Sequence, residues 1–205
     1  MLWKGKEKRM NLQYYYYFFK HALTPVFCDH ILQYAKDKQE KEHEAKVGPG
    51  NPQVNLETRK TKVNWISDRW VYKELRPLVF EANKKAGWNF NINNSEPVQI
   101  TRYKLNHFYG WHSDSDSFPY QDPYDPSSFG KLRKISMTVC LTDSNEYQGG
   151  DFKIKDIEGK ELVVKEARTK GTVIVFPSFV SHTVTPVTSG ERMSLVMWTL
   201  GPPFV

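Results

Sequence analysis

The sequence predicts an α+β fold in which a sandwich or jelly roll of short strands is supported by helices from the N-terminal third. Before Trp88, two stretches carry the apolar spacing and end signals of helices. From Trp88 onward, β-branched and aromatic residues fill short runs with a period of two, and Gly, Asn, Asp or Pro stands between most of them. Short strands that follow a helical block favour this layered architecture.

The chain has the length of one domain. Its 205 residues, of which 39% are hydrophobic, can bury one good core and do not require a second. We therefore expect a single domain over residues 1–205. Within it, residues 1–17 form a basic tail and the start of the first strand, residues 18–95 a supporting region of helices and strands, and residues 96–202 the jelly-roll core.

An aromatic strand and a first helix are predicted in "YYYYFFKHALTPVFCDHILQYAKD". Thr24 can cap the free N–H groups of the first turn, and Pro25 suits the first helical position because its missing N–H is not needed there. The spacing then places one apolar face toward the core, formed by Phe27, Cys28, Ile31, Leu32 and Ala35.

A second helix is predicted in "SDRWVYKELRPLVFEANKKAG". Ser67 or Asp68 can cap its start, and Gly87 suits its end. Pro77 lies in the middle and removes a backbone donor, so we expect the helix to kink or split there.

Strands are expected in the apolar and β-branched runs, which are "KTKVNWI", "WNFNI", "PVQITRYKL", "ISMTVCLT", "DFKIK", "ELVVK", "GTVIVF", "SHTVTPV" and "RMSLVMWTL". Two long irregular stretches interrupt them, at residues 46–60 and 115–132. Long irregular loops in a compact domain are usually functional lids or disordered segments, and we predict that these two act as lids.

Composition excludes several classes of protein. The net charge of +6 comes largely from the first twenty residues and from residues 34–62, where acidic residues interleave, so it predicts a solvated face rather than a nucleic-acid groove. No apolar run has the length of a membrane span and the first residues lack the apolar core of a signal peptide, so we expect a cytoplasmic protein. Cys28 and Cys140 lie far apart in apolar contexts, which favours buried free thiols.

The stretch "FYGWHSDSDSF" raises the possibility of a metal site. In an extended segment side chains alternate between faces, so His112 and Asp114 point the same way and can bind one ion. Asp116 shares that face and is an alternative ligand. A polar turn, in which Asp and Ser hydrogen-bond to the backbone, is the competing interpretation of "HSDSD".

A third ligand can come from His182 in "FPSFVSHTVTPV". Arg192 follows it by ten residues, and a hairpin would bring the two side chains together. Two histidines and one carboxylate leave open positions on a metal, as in non-haem Fe(II) oxygenases, and zinc would also accept these ligands. An arginine beside the metal favours an anionic co-substrate, because a guanidinium binds a carboxylate bidentately.

Three stretches, "RYKLNHFYGWHSDSD", "RKISMTVCLTDSNEYQGGDFKI" and "KGTVIVFPSFVSHTVTPVTSGERMSLVMW", resemble the catalytic core of the Fe(II)/2-oxoglutarate-dependent dioxygenases. Within that family the similarity is to the prolyl 4-hydroxylase-like branch, and it covers roughly residues 18–202, including "ALTPVFCDHILQYAKD" and "KTKVNWI". The resemblance implies a double-stranded β-helix, or jelly-roll, core. It also implies Fe(II), 2-oxoglutarate and O2 as cofactor and co-substrates, with ascorbate as an accompanying ligand, and a protein or peptide as substrate.

Carried over position by position, the resemblance implies a role for seven residues. It makes His112, Asp114 and His182 the iron ligands and Arg192 the partner of the distal carboxylate of 2-oxoglutarate. It further implies that Tyr103 and Ser194 contact the co-substrate and that Arg133 orients a peptide. The competing interpretations are core packing for Tyr103 and an ion pair with Asp143 or Glu146 for Arg133.

Two positions depart from the prolyl hydroxylase pattern, which usually has lysine in place of Arg192 and tyrosine in place of Cys140. The fold and the cofactors survive this difference, whereas the substrate does not follow. Peptidyl proline hydroxylation is the leading hypothesis. The alternatives are the same chemistry on another amino acid, a small molecule or a nucleic acid, and a non-catalytic jelly-roll binding module. His107, Trp111 and Trp198 are expected to be structural, and the oligomeric state is not predicted.

Overall fold

The structure is a computed structural model, and it describes residues 12–37, 42–47 and 53–204. Its helices are α1 (Pro25–Asp37), α2 (Arg69–Lys85) and a short 3-10 helix (Lys165–Arg168). Its strands are β1 (Tyr17–Phe19), β2 (His43–Glu44), β3 (Arg59–Lys60), β4 (Lys62–Ile66), β5 (Asn94–Ser95), β6 (Val98–Tyr103), β7 (Phe108–His112), β8 (Leu132–Cys140), β9 (Tyr147–Gly149), β10 (Phe152–Lys155), β11 (Glu161–Val163), β12 (Val173–Pro177), β13 (His182–Val184), β14 (Val187–Gly190) and β15 (Arg192–Gly201).

Helix α1 begins as its sequence predicts. The Thr24 hydroxyl accepts a hydrogen bond from the backbone N–H of Phe27 at 3.1 Å, and Pro25 occupies the first helical position. Cys28, Ile31 and Ala35 on the predicted apolar face are buried. The end signals and the apolar spacing of this segment therefore agree with each other and with the fold.

Helix α2 runs unbroken through Pro77, so the expected split at that residue is wrong. Pro77 lies on the exposed side of the helix, where the carbonyl that loses its donor can face water. The opposite face of the helix is buried along its whole length, at Val71, Leu75, Val79 and Ala82. The helix segments before and after Pro77 therefore pack against the same surface. Neither α1 nor α2, the long helices of the described residues, has the length and apolar character needed to cross a membrane.

The strands of the described residues form two large sheets and a small one. The larger sheet has the order β1-β12-β8-β15-β6-β4-β2, with β5 also paired to β15. The second sheet has the order β11-β10-β13-β7-β3, and β14 pairs with β9. All of these pairings are antiparallel.

The side chains of the larger sheet alternate between two cores. Ile135 and Met137 of β8 belong to a cluster with the apolar faces of α1 and α2. On the other side, Phe176 of β12 joins a cluster with Phe152 and Ile154 of β10, which belongs to the second sheet. The second cluster therefore lies between the two sheets.

The strand predicted in "WNFNI" does not form, so that prediction is wrong. The backbone of this segment bonds to a side chain instead of to a neighbouring strand. Asn83 of α2 accepts a hydrogen bond from the Phe90 N–H and donates one to the Phe90 carbonyl, both at 2.9 Å. Asn89 has a positive φ of 53°, which is incompatible with an extended strand. The other predicted runs each contain a strand.

Candidate metal centre

Three predicted ligands come together at one point between the sheets. One ligand atom from each of His112, Asp114 and His182 lies within 4.8 Å of the others. His112 Nε2 is 3.6 Å from one Asp114 carboxylate oxygen, and His182 Nε2 is 3.5 Å from the other. Two imidazole nitrogens and a carboxylate oxygen facing a common point suit a divalent transition metal.

The strand register aligns the two imidazoles. His112 at the end of β7 is the direct partner of His182 at the start of β13, and the register then shifts, so that residues 109–112 of β7 face residues 182–184 of β13. His112 Nδ1 lies 2.8 Å from the Gly110 carbonyl, and His182 Nδ1 lies 2.9 Å from the Val180 carbonyl. A ring nitrogen facing a carbonyl carries the proton, so Nε2 of both rings keeps its lone pair for a metal.

Asp114 is held by hydrogen bonds to residues in or next to strands of the larger sheet. Its carboxylate accepts a hydrogen bond from the Ser136 hydroxyl at 2.6 Å, and its backbone N–H donates to the Ser178 carbonyl at 2.8 Å. Burial opposes ionisation of Asp114, but the neighbouring imidazoles of His182 and His112 outweigh it and keep the pKa of Asp114 well below its ordinary range. Burial lowers the pKa of His182 to about 4, so this ring is neutral at neutral pH.

Arg192 lines the same cavity from the opposite sheet. It is 2% exposed, and its Nε and Nη1 have no hydrogen-bond partner among the described residues. A buried guanidinium without an acceptor is costly, so these two donors indicate a site for an anion. The donor set and this cation together fit Fe(II) and a dicarboxylate co-substrate.

The expected hairpin between His182 and Arg192 is wrong, although both residues do line the cavity. Strand β14 lies between them in sequence and pairs with β9, after which the chain enters the larger sheet as β15. Arg192 pairs there with Tyr103 of β6, and its guanidinium carbon lies 5.2 Å from the centre of that ring. The two residues therefore meet across the space between two sheets.

The family model described as the 2OG-Fe(II) oxygenase superfamily matches residues 98–200, which include all three metal-binding candidates and Arg192. This chain belongs to the 2OG-Fe(II) oxygenase superfamily. The family implies Fe(II), 2-oxoglutarate and O2 as cofactor and co-substrates.

Curated relatives of this chain carry the name PKHD-type hydroxylase. A protein of Xylella fastidiosa (strain M23) is 38% identical over 160 residues, which is 74% of this chain and 64% of the relative. One from Shewanella oneidensis is 35% identical over 103 residues, covering 50% of this chain and 42% of its own length. The chain therefore spans less than two thirds of the relatives it matches.

Solved prolyl hydroxylases share the fold of this chain. A Pseudomonas putida prolyl-4-hydroxylase superposes with a TM-score of 0.70 at 20% identity, covering 91% of this chain and 93% of that one. A Trichoplax adhaerens prolyl hydroxylase, solved with a hypoxia inducible factor oxygen degradation domain peptide fragment, has a TM-score of 0.68 at 18% identity and covers 90% and 83%. At these identities the likeness shows the fold alone.

Tyr103 and Ser194, the other predicted co-substrate contacts, also line the cavity and are buried. Burial is the chief cause of the raised pKa of Tyr103, so its hydroxyl stays protonated and can donate a hydrogen bond. Tyr147 of β9 was not foreseen. It lies beside both Cys140 and Arg192, and the pKa of its hydroxyl is raised to about 12 by burial and by Cys140.

Arg133 pairs with Glu96, a partner that the sequence did not indicate. Its Nε and Nη2 donate to the two carboxylate oxygens of Glu96 at 2.7 and 2.5 Å, and neither Asp143 nor Glu146 pairs with it. Its guanidinium lies 4.1 Å from the centre of the Trp198 ring. Arg133 is therefore already paired and stacked, and it is absent from the residues that line the cavity.

The remaining aromatic and acidic candidates differ in whether they line the cavity or belong to the group of possible metal ligands. Trp198, expected to be structural, lines the cavity, and its buried indole N–H has no acceptor among the described residues. Asp116 and His107 lie outside the group of possible metal ligands. Arg59 and Tyr109 line the cavity but were missed, because β3 and β7 pair across about fifty residues of sequence that carry no signal for that pairing.

Proposed function

We propose that this protein is an Fe(II)- and 2-oxoglutarate-dependent dioxygenase that hydroxylates a C–H bond, with peptidyl proline as the leading substrate. The observation that carries the proposal is the convergence of His112, Asp114 and His182 in the cavity that also receives the buried guanidinium of Arg192, whose Nε and Nη1 have no hydrogen-bond partner among the described residues. A metal-binding triad alone would also suit a zinc site, whereas the buried cation beside it requires an anionic ligand.

Each of these side chains has a proposed role in binding. His112, Asp114 and His182 hold the iron, and Arg192 forms a salt bridge with the distal carboxylate of 2-oxoglutarate. Bound iron and 2-oxoglutarate would supply the oxidation together with O2: one oxygen atom of O2 enters succinate as 2-oxoglutarate loses carbon dioxide, and the other becomes the hydroxyl group on the substrate carbon.

The protein contributes orientation and the exclusion of water. Arg192 is fixed before the co-substrate arrives, because its stem lies against the turn at Gly150 and its head faces Tyr103. Tyr103 and Ser194 offer hydroxyl groups on the same side of the cavity. Phe152, Phe176 and Val184 form its apolar wall, which keeps water from the reacting atoms.

Several finer features belong to the same proposal. We assign the two large sheets to the halves of a double-stranded β-helix within a single domain over residues 1–205. Peptidyl proline is supported by the prolyl hydroxylase structures that share the fold and by the PKHD-type hydroxylase relatives. Trp198 lines the cavity with a buried N–H that has no acceptor among the described residues, which suits a substrate that presents both a ring and a carbonyl. Use of ascorbate and a cytoplasmic location remain predictions.

The test is an anaerobic titration of the protein and Fe(II) with 2-oxoglutarate, followed by visible absorption. Wild type should develop the weak charge-transfer band of the chelated co-substrate, and His182→Ala should not. Asp156→Asn, which changes a half-buried acidic residue in a turn outside the cavity lining, is the control and should keep the band. A band of equal strength in His182→Ala, or none in wild type, would refute the cofactor assignment.

Substrate oxidation is tested separately with oxygen present. A proline-containing peptide should gain one oxygen atom by mass spectrometry in parallel with succinate formation, and Arg192→Gln should lose both. Succinate formation without peptide oxidation would retain the oxygenase and reject proline as its substrate.

A further inference from the structure

Whereas Arg192 lies in the larger sheet, a second arginine, Arg59, lines the cavity from the second sheet. It belongs to β3 and pairs with Tyr109 of β7, two strand positions before the Trp111–His112 end of that strand. Arg59 is 6% exposed and is among the residues that line the cavity. It is therefore a buried cation that shares the cavity with the metal-binding triad.

The contacts of Arg59 hold it in place without neutralising it. Its Nε donates to the Thr61 hydroxyl at 3.0 Å, and its guanidinium carbon lies 4.3 Å from the centre of the Tyr109 ring. The Tyr109 ring in turn stacks on His112, with ring centres 3.5 Å apart. A hydroxyl and an aromatic face orient a guanidinium but supply no negative charge.

The other well-buried arginines of the described chain have acidic partners, apart from Arg192. Arg102 pairs with Glu42 at 3.0 Å, and Arg133 pairs with Glu96. Within residues 12–37, 42–47 and 53–204, no carboxylate lies within ion-pair distance of Arg59. Because burying an unpaired charge is costly, a cation kept in this state indicates an anionic ligand.

The charge of the cavity leads to the same conclusion. Its lining contains two arginines and one aspartate, Arg59, Arg192 and Asp114, which sum to +1 because metal-binding imidazoles are neutral. A ferrous ion adds two positive charges and 2-oxoglutarate removes two, so +1 remains. Arg192 and the metal account for both ends of the co-substrate, which leaves Arg59 for a further anion.

We propose that Arg59 binds a carboxylate of the primary substrate, so that the preferred peptide carries an acidic group close to the hydroxylated residue. This inference rests on the function proposed above. It replaces Arg133 as the substrate-binding cation, since Arg133 is already paired with Glu96 and lies outside the cavity lining. A guanidinium held by non-ionic contacts is ready to form a bidentate pair with a carboxylate when the substrate enters.

The test measures binding without turnover. The protein is loaded with Zn(II), which does not support the oxidation, saturated with 2-oxoglutarate, and titrated calorimetrically with matched peptides. The parent peptide is acetyl-Ala-Ala-Pro-Ala-Ala-amide, and glutamate is placed in turn at each position beside the proline, with glutamine at the same position as its neutral twin. A further pair ends at the proline as the free acid or the amide, so a side-chain carboxylate is distinguished from a chain terminus.

The expected result is a preference of about tenfold or more for at least one acidic peptide over its neutral twin. Arg59→Gln should abolish the preference and leave the affinity for 2-oxoglutarate within about threefold of wild type. Arg76→Gln, on the exposed side of α2, is the matched arginine control and should change neither quantity. Arg59→Lys should retain part of the preference, because it keeps the charge but loses the bidentate geometry.

Three results would overturn the inference. The first is the absence of any preference for an acidic peptide in wild type, and the second is a preference that survives in Arg59→Gln. The third is a large loss of 2-oxoglutarate affinity in Arg59→Gln without a change in peptide preference, which would assign this arginine to the co-substrate. Failure of wild type to bind 2-oxoglutarate would instead reject the proposed function, and the co-substrate titration reports it separately.

Discussion

Individual side chains in the cavity are held by neighbours that are themselves fixed. Arg192 shows this most clearly, because Gly150 leaves the space that its stem occupies. A Cβ at Gly150 would lie 2.9 Å from Arg192 Cδ, closer than two such atoms can approach. The "QGG" turn therefore determines where the positive charge of the cavity is placed.

Gly150→Ala should weaken 2-oxoglutarate binding by about tenfold or more, because the guanidinium must move or the turn must open. Gly159→Ala is a matched control: its φ is +81°, close to the +61° of Gly150, but nothing lies within 4 Å of the added Cβ. Both variants carry similar backbone strain, of about 1 kcal/mol. Equal 2-oxoglutarate affinities in the two variants, measured by calorimetry, would contradict this account of Arg192.

At the scale of elements, the segment between β7 and β8 is attached to the sheet at defined points. The Tyr120 hydroxyl donates to Glu96 at 3.0 Å, and the Tyr120 carbonyl accepts from the Gly130 N–H at 2.8 Å. Glu96 also receives Arg133, so one carboxylate joins the segment to β8. The predicted lid at residues 115–132 is therefore anchored at its middle in this structure, whereas residues 48–52 of the other predicted lid lie outside the described residues.

Glu96→Gln should release this anchor. We expect faster hydrogen exchange at the amides of residues 118–131, with 2-oxoglutarate affinity nearly unchanged because Glu96 lies outside the cavity lining. Glu158→Gln, an exposed change in a distant turn, should leave that exchange as it is in wild type. Unchanged exchange in Glu96→Gln would mean that other contacts hold the segment.

Packing of α1 against the larger sheet has a consequence for pH dependence. Burial raises the pKa of Cys28 from 9.0 to about 11, against a smaller opposing effect of Lys170. A raised thiol pKa contributes stability that is present below pH 9 and is lost as pH rises toward 11. The unfolding free energy from urea titrations should therefore fall less between pH 8.5 and 10.5 in Cys28→Ala than in wild type, after allowance for the cavity. Parallel pH profiles would show that the thiol does not ionise differently on folding.

The sequence predicted the positions of helices and strands better than it predicted which of them pair with each other. End signals and periodicity are local, so α1, α2 and most strands could be located, as could His112, Asp114, His182 and Arg192. Pairing is not local. The contact of Arg133 with Glu96 spans 37 residues, and the pairing of β3 with β7 that brings Arg59 into the cavity has no signal in either segment. The bond from the Asn83 side chain to Phe90 is likewise non-local, and the sequence "WNFNI" around Phe90 favoured a strand that does not form.

At the scale of the whole molecule, the side chains proposed to bind the metal and 2-oxoglutarate come from both large sheets. Binding of these two ligands should therefore stabilise the complete fold. With Zn(II) bound and 2-oxoglutarate at about 100 times its Kd, mass action adds about 2.7 kcal/mol. For a chain of this length that corresponds to a rise in Tm of about 5–10 °C. Differential scanning calorimetry should show the rise in wild type and not in His182→Ala, and a rise of equal size in the variant would place the ligand elsewhere.

The direct pairing of His112 with His182 has a further consequence for the unfolded chain. These residues are adjacent in the sheets but 70 positions apart in sequence, since 182 minus 112 is 70. A metal ion held by both would act as a reversible cross-link that closes a long loop, and closing a loop of this length lowers the entropy of an unfolded chain by the equivalent of about 4 kcal/mol. Iron supply would then govern how long the protein persists in a cell as well as how fast it works.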